Sequence, residues 1–109
     1  VWLNPPYGPH TETWLRRLAA HGNGIALVFA RTETRWWHET VGCADAVCFI
    51  AGRLTFVDHH RQPGKFNSGA PSALVAYGTE CAEAVAAASL GMTFAVHARE
   101  LAGQGSLWE

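Results

Sequence analysis

At 109 residues, the chain is sized for one domain around one core and is short for a complete α/β enzyme. Its 49% hydrophobic, 16% charged and 11% aromatic residues exclude whole-chain disorder. A formal charge of -1 excludes a strongly basic, charge-dominated nucleic-acid binder, while leaving room for a local basic patch.

Cys43, Cys48 and Cys81 are odd in number and form no CxxC pair, so they read as small buried hydrophobes in a reducing compartment rather than as disulfides or zinc ligands. No apolar run approaches the roughly 18 residues that a membrane span requires, and no signal peptide is recognisable. No membrane association is expected. The sequence opens on Val1-Trp2-Leu3 without a methionine, in what reads as a strand, which suggests a start inside a larger polypeptide.

That first apolar segment stops at Pro5-Pro6, where a fixed φ and missing N–H groups end a ladder. Thr11 as N-cap, Trp14, Leu15, Leu18 and Ala19 on one helical face, and Gly22 just past the end predict an amphipathic helix. Residues 25–30 (IALVFA) form a continuous apolar run, predicting a strand buried on both faces as in parallel sheets. Strand, helix and strand make a βαβ unit. A second helix is expected over residues 33–41, with Thr32 as cap and Gly42 as stop. Further strands are expected at 46–50, 54–57 and 72–77, with residues 58–71 as a Gly/Pro loop. Beyond Gly78 come an Ala-rich helix and a strand at 92–97. The implied fold class is α/β, with a mostly parallel sheet, one antiparallel edge, and ligands beyond the carboxyl ends of the strands.

Seven of the eight basic residues fall in residues 1–78, against five of the nine acidic ones. The character of the chain therefore changes after Gly78, and residues 79–109, with one basic residue and four acidic ones, read as a C-terminal extension. A nucleic acid would meet the first part.

The tetrapeptide Asn4-Pro5-Pro6-Tyr7 suits a planar NH2 whose lone pair is delocalised into a base or an amide. Acceptors on its two hydrogens, the Asn4 side-chain oxygen and the Pro5 carbonyl, favour a pyramidal nitrogen and stabilise the positive charge developing as it attacks a methyl group. Pro6 fixes the turn, and Tyr7 offers a face on which an extruded base can stack. The bland reading is a strand terminated by two prolines, with Asn4 and Tyr7 in turn and core contacts.

Four ordered blocks extend the pattern: WLNPPYG at residues 2–8, ARTETRWWH at 30–38, FIAGRLTF at 49–56 and GAPSALVAYG at 69–78. In these blocks the sequence resembles the C-terminal part of the phage-type, Dam-like DNA N6-adenine methyltransferases. The resemblance implies a Rossmann-like fold, apparently lacking its N-terminal strands, S-adenosylmethionine as methyl donor, double-stranded DNA as partner, and the cytoplasm of a bacterial or phage-infected host. It also implies that residues 1–78, which hold the four blocks, are a partial methyltransferase catalytic region, and that Asn4, Pro5, Pro6 and Tyr7 hold the target adenine amino group. No glycine-rich loop followed by an acidic residue precedes Asn4, so the donor pocket is expected mainly upstream of Val1.

Arg31, Thr32, Thr34 and Arg35 follow a strand, where they either reach the target nucleotide or form a solvated helix start. Of the adjacent Trp36 and Trp37, one belongs to the core, and Trp37 is the expected exposed one, available to the substrate. Arg53, His59, His60, Arg61 and Lys65 surround the Gly/Pro loop, either as phosphate contacts or as solvated side chains. No metal is expected, because adjacent histidines seldom converge on one ion. An N5-glutamine protein methyltransferase and a noncatalytic DNA-binding remnant are the alternative functions.

Overall fold

The computed structural model describes residues 1–5, 8–52, 55–57, 63–67 and 70–96, those at 55–57 and 63–67 by their backbone alone. Three helices and seven strands occur among them. β1 (Trp2–Leu3), α1 (Thr11–His21) and β2 (Gly24–Phe29) form the expected βαβ unit, with Trp2 paired to Ile25 and Leu3 to Ala26 in parallel register. α2 (Arg35–Val41) leads to β3 (Ala46–Ile50). β4 (Thr55–Val57) and β5 (Pro63–Asn67) pair as a two-stranded antiparallel sheet, placing a strand inside the segment expected to be loop. β6 (Ser72–Tyr77), α3 (Thr79–Ala88) and β7 (Gly91–Ala95) complete the chain order.

The main sheet runs β1-β2-β6-β3-β7. This corrects the expectation of a mostly parallel sheet, because β2 with β6, β6 with β3 and β3 with β7 are all antiparallel, and β1 with β2 is the parallel pair. The cause lies in where the last strands insert. β1, β2 and β3 point the same way, but β6 enters between β2 and β3 in the opposite sense, and β7 adds to the far side of β3. An apolar run reports burial on two faces and carries no information about strand direction.

Alternation along each strand divides the core between the sheet faces. Ala26 and Val28 of β2, Val47 of β3, and Ala73, Val75 and Tyr77 of β6 pack with Leu15, Leu18, Trp37 and Val41 of α1 and α2. Cys48, Leu74 and Ala76 face the other way and pack with Val85 of α3. The first two helices thus cover one face, and α3 covers part of the other. No described helix is long and apolar enough to cross a membrane.

Local sequence explains how α1 is placed. Its stop is Gly22, left-handed at φ 79°, whose N–H donates to the Leu18 carbonyl at 2.9 Å, the conformation that glycine adopts without a Cβ clash. Two residues later, a Cβ on Gly24 would lie 2.6 Å from Leu18 Cδ1 and 2.6 Å from the Val1 carbonyl oxygen. Only glycine lets β1, β2 and the end of α1 meet this closely. Thr11 is the first residue of α1 rather than its cap; the cap is His10, whose side chain makes no capping bond.

Candidate nucleotide site

The parallel pair brings the carboxyl ends of β1 and β2 together, and the segments leaving them border one pocket. It has a volume of about 420 Å³ and is lined by Gly8, Thr11, Phe29, Arg31, Thr34 and Trp36. Asn4 is exposed immediately after β1, while Pro5 is buried. An apolar anchor behind an exposed amide is what a segment held at a strand end requires. Pro6 and Tyr7 lie outside the described residues.

The loop from β2 to α2 is tied internally. The Arg31 N–H donates to the Phe29 carbonyl at 2.9 Å, and the Arg31 carbonyl accepts from the Thr34 N–H at 3.0 Å and from Thr34 Oγ1 at 2.7 Å. Thr34 Oγ1 also accepts from the Trp37 N–H at 3.3 Å, so Thr34 is the N-cap of α2. Thr32, the expected cap, is exposed, and its carbonyl accepts from His38 Nε2 at 2.7 Å. Arg35 is exposed at the first position of α2.

The guanidinium of Arg31 lies 5.7 Å from the Phe29 ring centroid, a cation–π contact that uses none of its N–H donors. Among the described residues, the ion pairs join Arg16 to Glu12 and Glu39, and no carboxylate pairs with Arg31. The described residues of the lining are therefore an exposed cation, two threonines and two aromatic rings with Gly8, and no carboxylate is among them.

Trp37 is a correction. It is only 6% exposed and packs against Phe49 with ring centroids 6.2 Å apart, whereas Trp36 lines the pocket. The signal was in the sequence: Val41 is the aliphatic residue of this short helix, and the position four residues before it, Trp37, shares its face. Phe29 and Trp36 were missed as pocket residues. Phe29 ends an apolar run, and only the position of the strand end distinguishes a core ring from a rim ring.

Arg53, His59, His60 and Arg61 lie outside the described residues. Lys65 falls within β5, and its side chain is likewise outside them. Of the expected DNA contacts, the structure therefore brings Arg31 and Thr34 into one pocket, leaves Thr32 and Arg35 on its solvent-exposed flank, and removes Trp37 to the core. Among the described residues, no group of three or more His, Cys, Asp or Glu could hold a metal ion. Cys48 is buried as expected, but Cys43 is exposed and its Sγ donates to the Glu39 carbonyl at 3.2 Å.

A family model described as DNA N-6-adenine-methyltransferase (Dam) matches residues 1–103. The chain belongs to this family. No curated protein and no solved structure gives a significant match. Family membership brings with it a DNA substrate and methyltransferase chemistry on adenine, and the mixed α/β fold with its five-stranded sheet is compatible with a methyltransferase. The Dam family normally uses S-adenosylmethionine. That donor carries a sulfonium and an ammonium against one carboxylate, so it has a net positive charge. The described lining of the pocket offers a guanidinium and no carboxylate, a set that favours an anionic group over a cationic one.

Proposed function

We propose that the protein methylates the N6 amino group of adenine in double-stranded DNA, with the target base extruded and its amino group held by the Asn4 to Tyr7 segment. The methyl donor in this reading is S-adenosylmethionine, which supplies an electrophilic methyl group. The observation that carries the reading is Asn4 itself: exposed directly after β1 and followed by the buried Pro5, on the segment that continues to Gly8 and Thr11 in the lining of a pocket with a cation and two rings.

An aromatic amine is a weak nucleophile because its lone pair is shared with the ring. Accepting hydrogen bonds from both N–H groups opposes that sharing and offsets the positive charge that grows on nitrogen during attack. The Asn4 side-chain oxygen and the Pro5 carbonyl are the acceptors in this assignment. A proton then leaves the methylated nitrogen. The chain's contribution is alignment and electrostatics, with no covalent enzyme intermediate.

The test is incubation of the protein with tritiated S-adenosylmethionine and either duplex DNA or a glutamine-containing peptide, followed by digestion of the DNA to nucleosides. Label in N6-methyl-2′-deoxyadenosine from duplex DNA is the expected result. Label in the peptide, or in cytosine alone, sinks the assignment.

A further inference from the structure

The pocket combines its groups in a way that separates two recognition tasks. Arg31 is fixed through its backbone at both its N–H and its carbonyl, and its exposed guanidinium has N–H donors left over after contact with Phe29. Trp36 is half-buried and braced from behind: its ring meets Trp37 edge to face, with centroids 6.2 Å apart and planes at 65°. Trp37 in turn is seated on Phe49 in the core. The Trp36 carbonyl accepts from Thr40 Oγ1 at 2.6 Å, which holds its part of α2 in place. One wall of the pocket is thus a positioned cation and another a positioned indole.

We propose that this pocket clamps a single extruded deoxynucleotide, with Arg31 taking its phosphate and Trp36 the face of its base. The assignment deepens the function proposed above and rests on it for the choice of adenine. A guanidinium matches phosphate geometry through paired N–H donors, and an indole face accepts any base by stacking. Thr11 and Thr34 complete the lining, and the Thr34 hydroxyl, bonded to the Arg31 carbonyl and the Trp37 N–H, ties the cation's backbone to the helix that carries the indole. The clamp selects a nucleotide over either of its halves, while discrimination among bases is left to the groups that meet the base edge.

The experiment is a set of titrations of the 109-residue protein with dAMP, deoxyadenosine and deoxyribose 5-phosphate, followed by tryptophan fluorescence and calorimetry. The parent binds dAMP at least about tenfold more tightly than either half-ligand, the scale of one stacked base or one charge-assisted contact. Arg31→Gln abolishes the preference for dAMP over deoxyadenosine and keeps the preference over deoxyribose 5-phosphate. Trp36→Ala does the reverse, and Trp36→Phe retains most of the base preference, which a role confined to folding would not predict. The clamp is overturned if the parent shows neither preference, if either variant erodes both preferences equally, or if both variants behave as the parent. Methyl transfer to DNA without these preferences removes the clamp and leaves the proposed activity standing. The preferences without transfer to DNA remove the activity and leave a nucleotide clamp.

Discussion

The Tyr77 hydroxyl of β6 donates to the Thr40 carbonyl of α2 at 2.6 Å, deep in the core. It completes the end of that helix. The His38 carbonyl accepts from the Gly42 N–H, the Glu39 carbonyl from Cys43 Sγ and the Val41 carbonyl from the Ala44 N–H. The last carbonyls of a helix have no partner within it, and here each is met by a donor from a different source. Burial pushes the Tyr77 phenol well above its ordinary value, so it remains a neutral donor throughout the range in which proteins fold. Tyr77→Phe leaves the Thr40 carbonyl buried and unmet, at a cost of about 1–3 kcal/mol. Urea unfolding measures it, and an unchanged midpoint would show that water replaces the phenol.

Thr34 links helix stability to the pocket. Its hydroxyl accepts from the Trp37 N–H and donates to the Arg31 carbonyl, so Thr34→Ala removes both a cap and a loop tie. The expected loss is about 1 kcal/mol of stability, together with weaker binding of dAMP as the Arg31 backbone loosens. Thr34→Ser keeps the hydroxyl and should restore both properties. A serine variant as weak in dAMP binding as the alanine one would show that the threonine methyl, rather than the hydroxyl, shapes the pocket.

Arg16 of α1 bonds both Glu12, one turn before it, and Glu39 of α2, bridging the two helices on their exposed side. The hydrogen bond from Arg16 holds the Glu39 carboxyl below its ordinary value and raises the Arg16 guanidinium above its own. A carboxylate with a depressed folded pKa contributes stability above its unfolded pKa and loses it as pH falls through the folded value, while Arg16 stays charged throughout. Glu39→Gln should therefore narrow the stability difference between neutral and acidic pH. The effect is small and fades in high salt, because the pair is exposed. Thermal melts at both pH values and two salt concentrations test this, and an effect insensitive to salt would exclude the ion pair as its source.

Much of the chain's local structure was legible because it depends on local chemistry. Gly22 stops α1, residues 46–50 and 72–77 are strands, and β1-α1-β2 is a parallel unit. Strand order was not legible, since β6 enters between β2 and β3 through contacts distant in sequence. The pair of tryptophans shows the same limit at the site. Trp37 shares a face with Val41 and turns inward, as that spacing implies, but that the neighbouring Trp36 then meets a pocket depends on the β2 end and the segment after β1, which the spacing does not show. The consequence is measurable in stability. Trp37→Ala should cost about 3–5 kcal/mol, as for other buried aromatic truncations, and Trp36→Ala much less. Equal losses in denaturant unfolding would mean that both rings are structural.

The most decisive variant is at Asn4. If its side-chain oxygen accepts from the target amine, the bond strengthens as positive charge develops on nitrogen, so its value lies in the transition state more than in the bound complex. Asn4→Ala should then lower kcat by about 10²–10³, the scale of losing one donor or acceptor aimed at developing charge, with KM for DNA little changed. Because Asn4 is exposed at the end of β1, the substitution leaves the core intact, and the melting temperature should stay near that of the parent. Asn4→Asp keeps an acceptor in place and adds a charge that favours the cationic nitrogen but repels phosphate, so it should retain more turnover than alanine while raising KM for DNA. A duplex with 2-aminopurine at the target position reports extrusion by fluorescence independently of tritiated methyl transfer. Extrusion preserved with transfer lost is the expected pattern for Asn4→Ala. Transfer at the parental rate would return Asn4 to the role of an ordinary turn residue after a strand, and loss of extrusion together with transfer would place it in capture of the base rather than in activation of its amine.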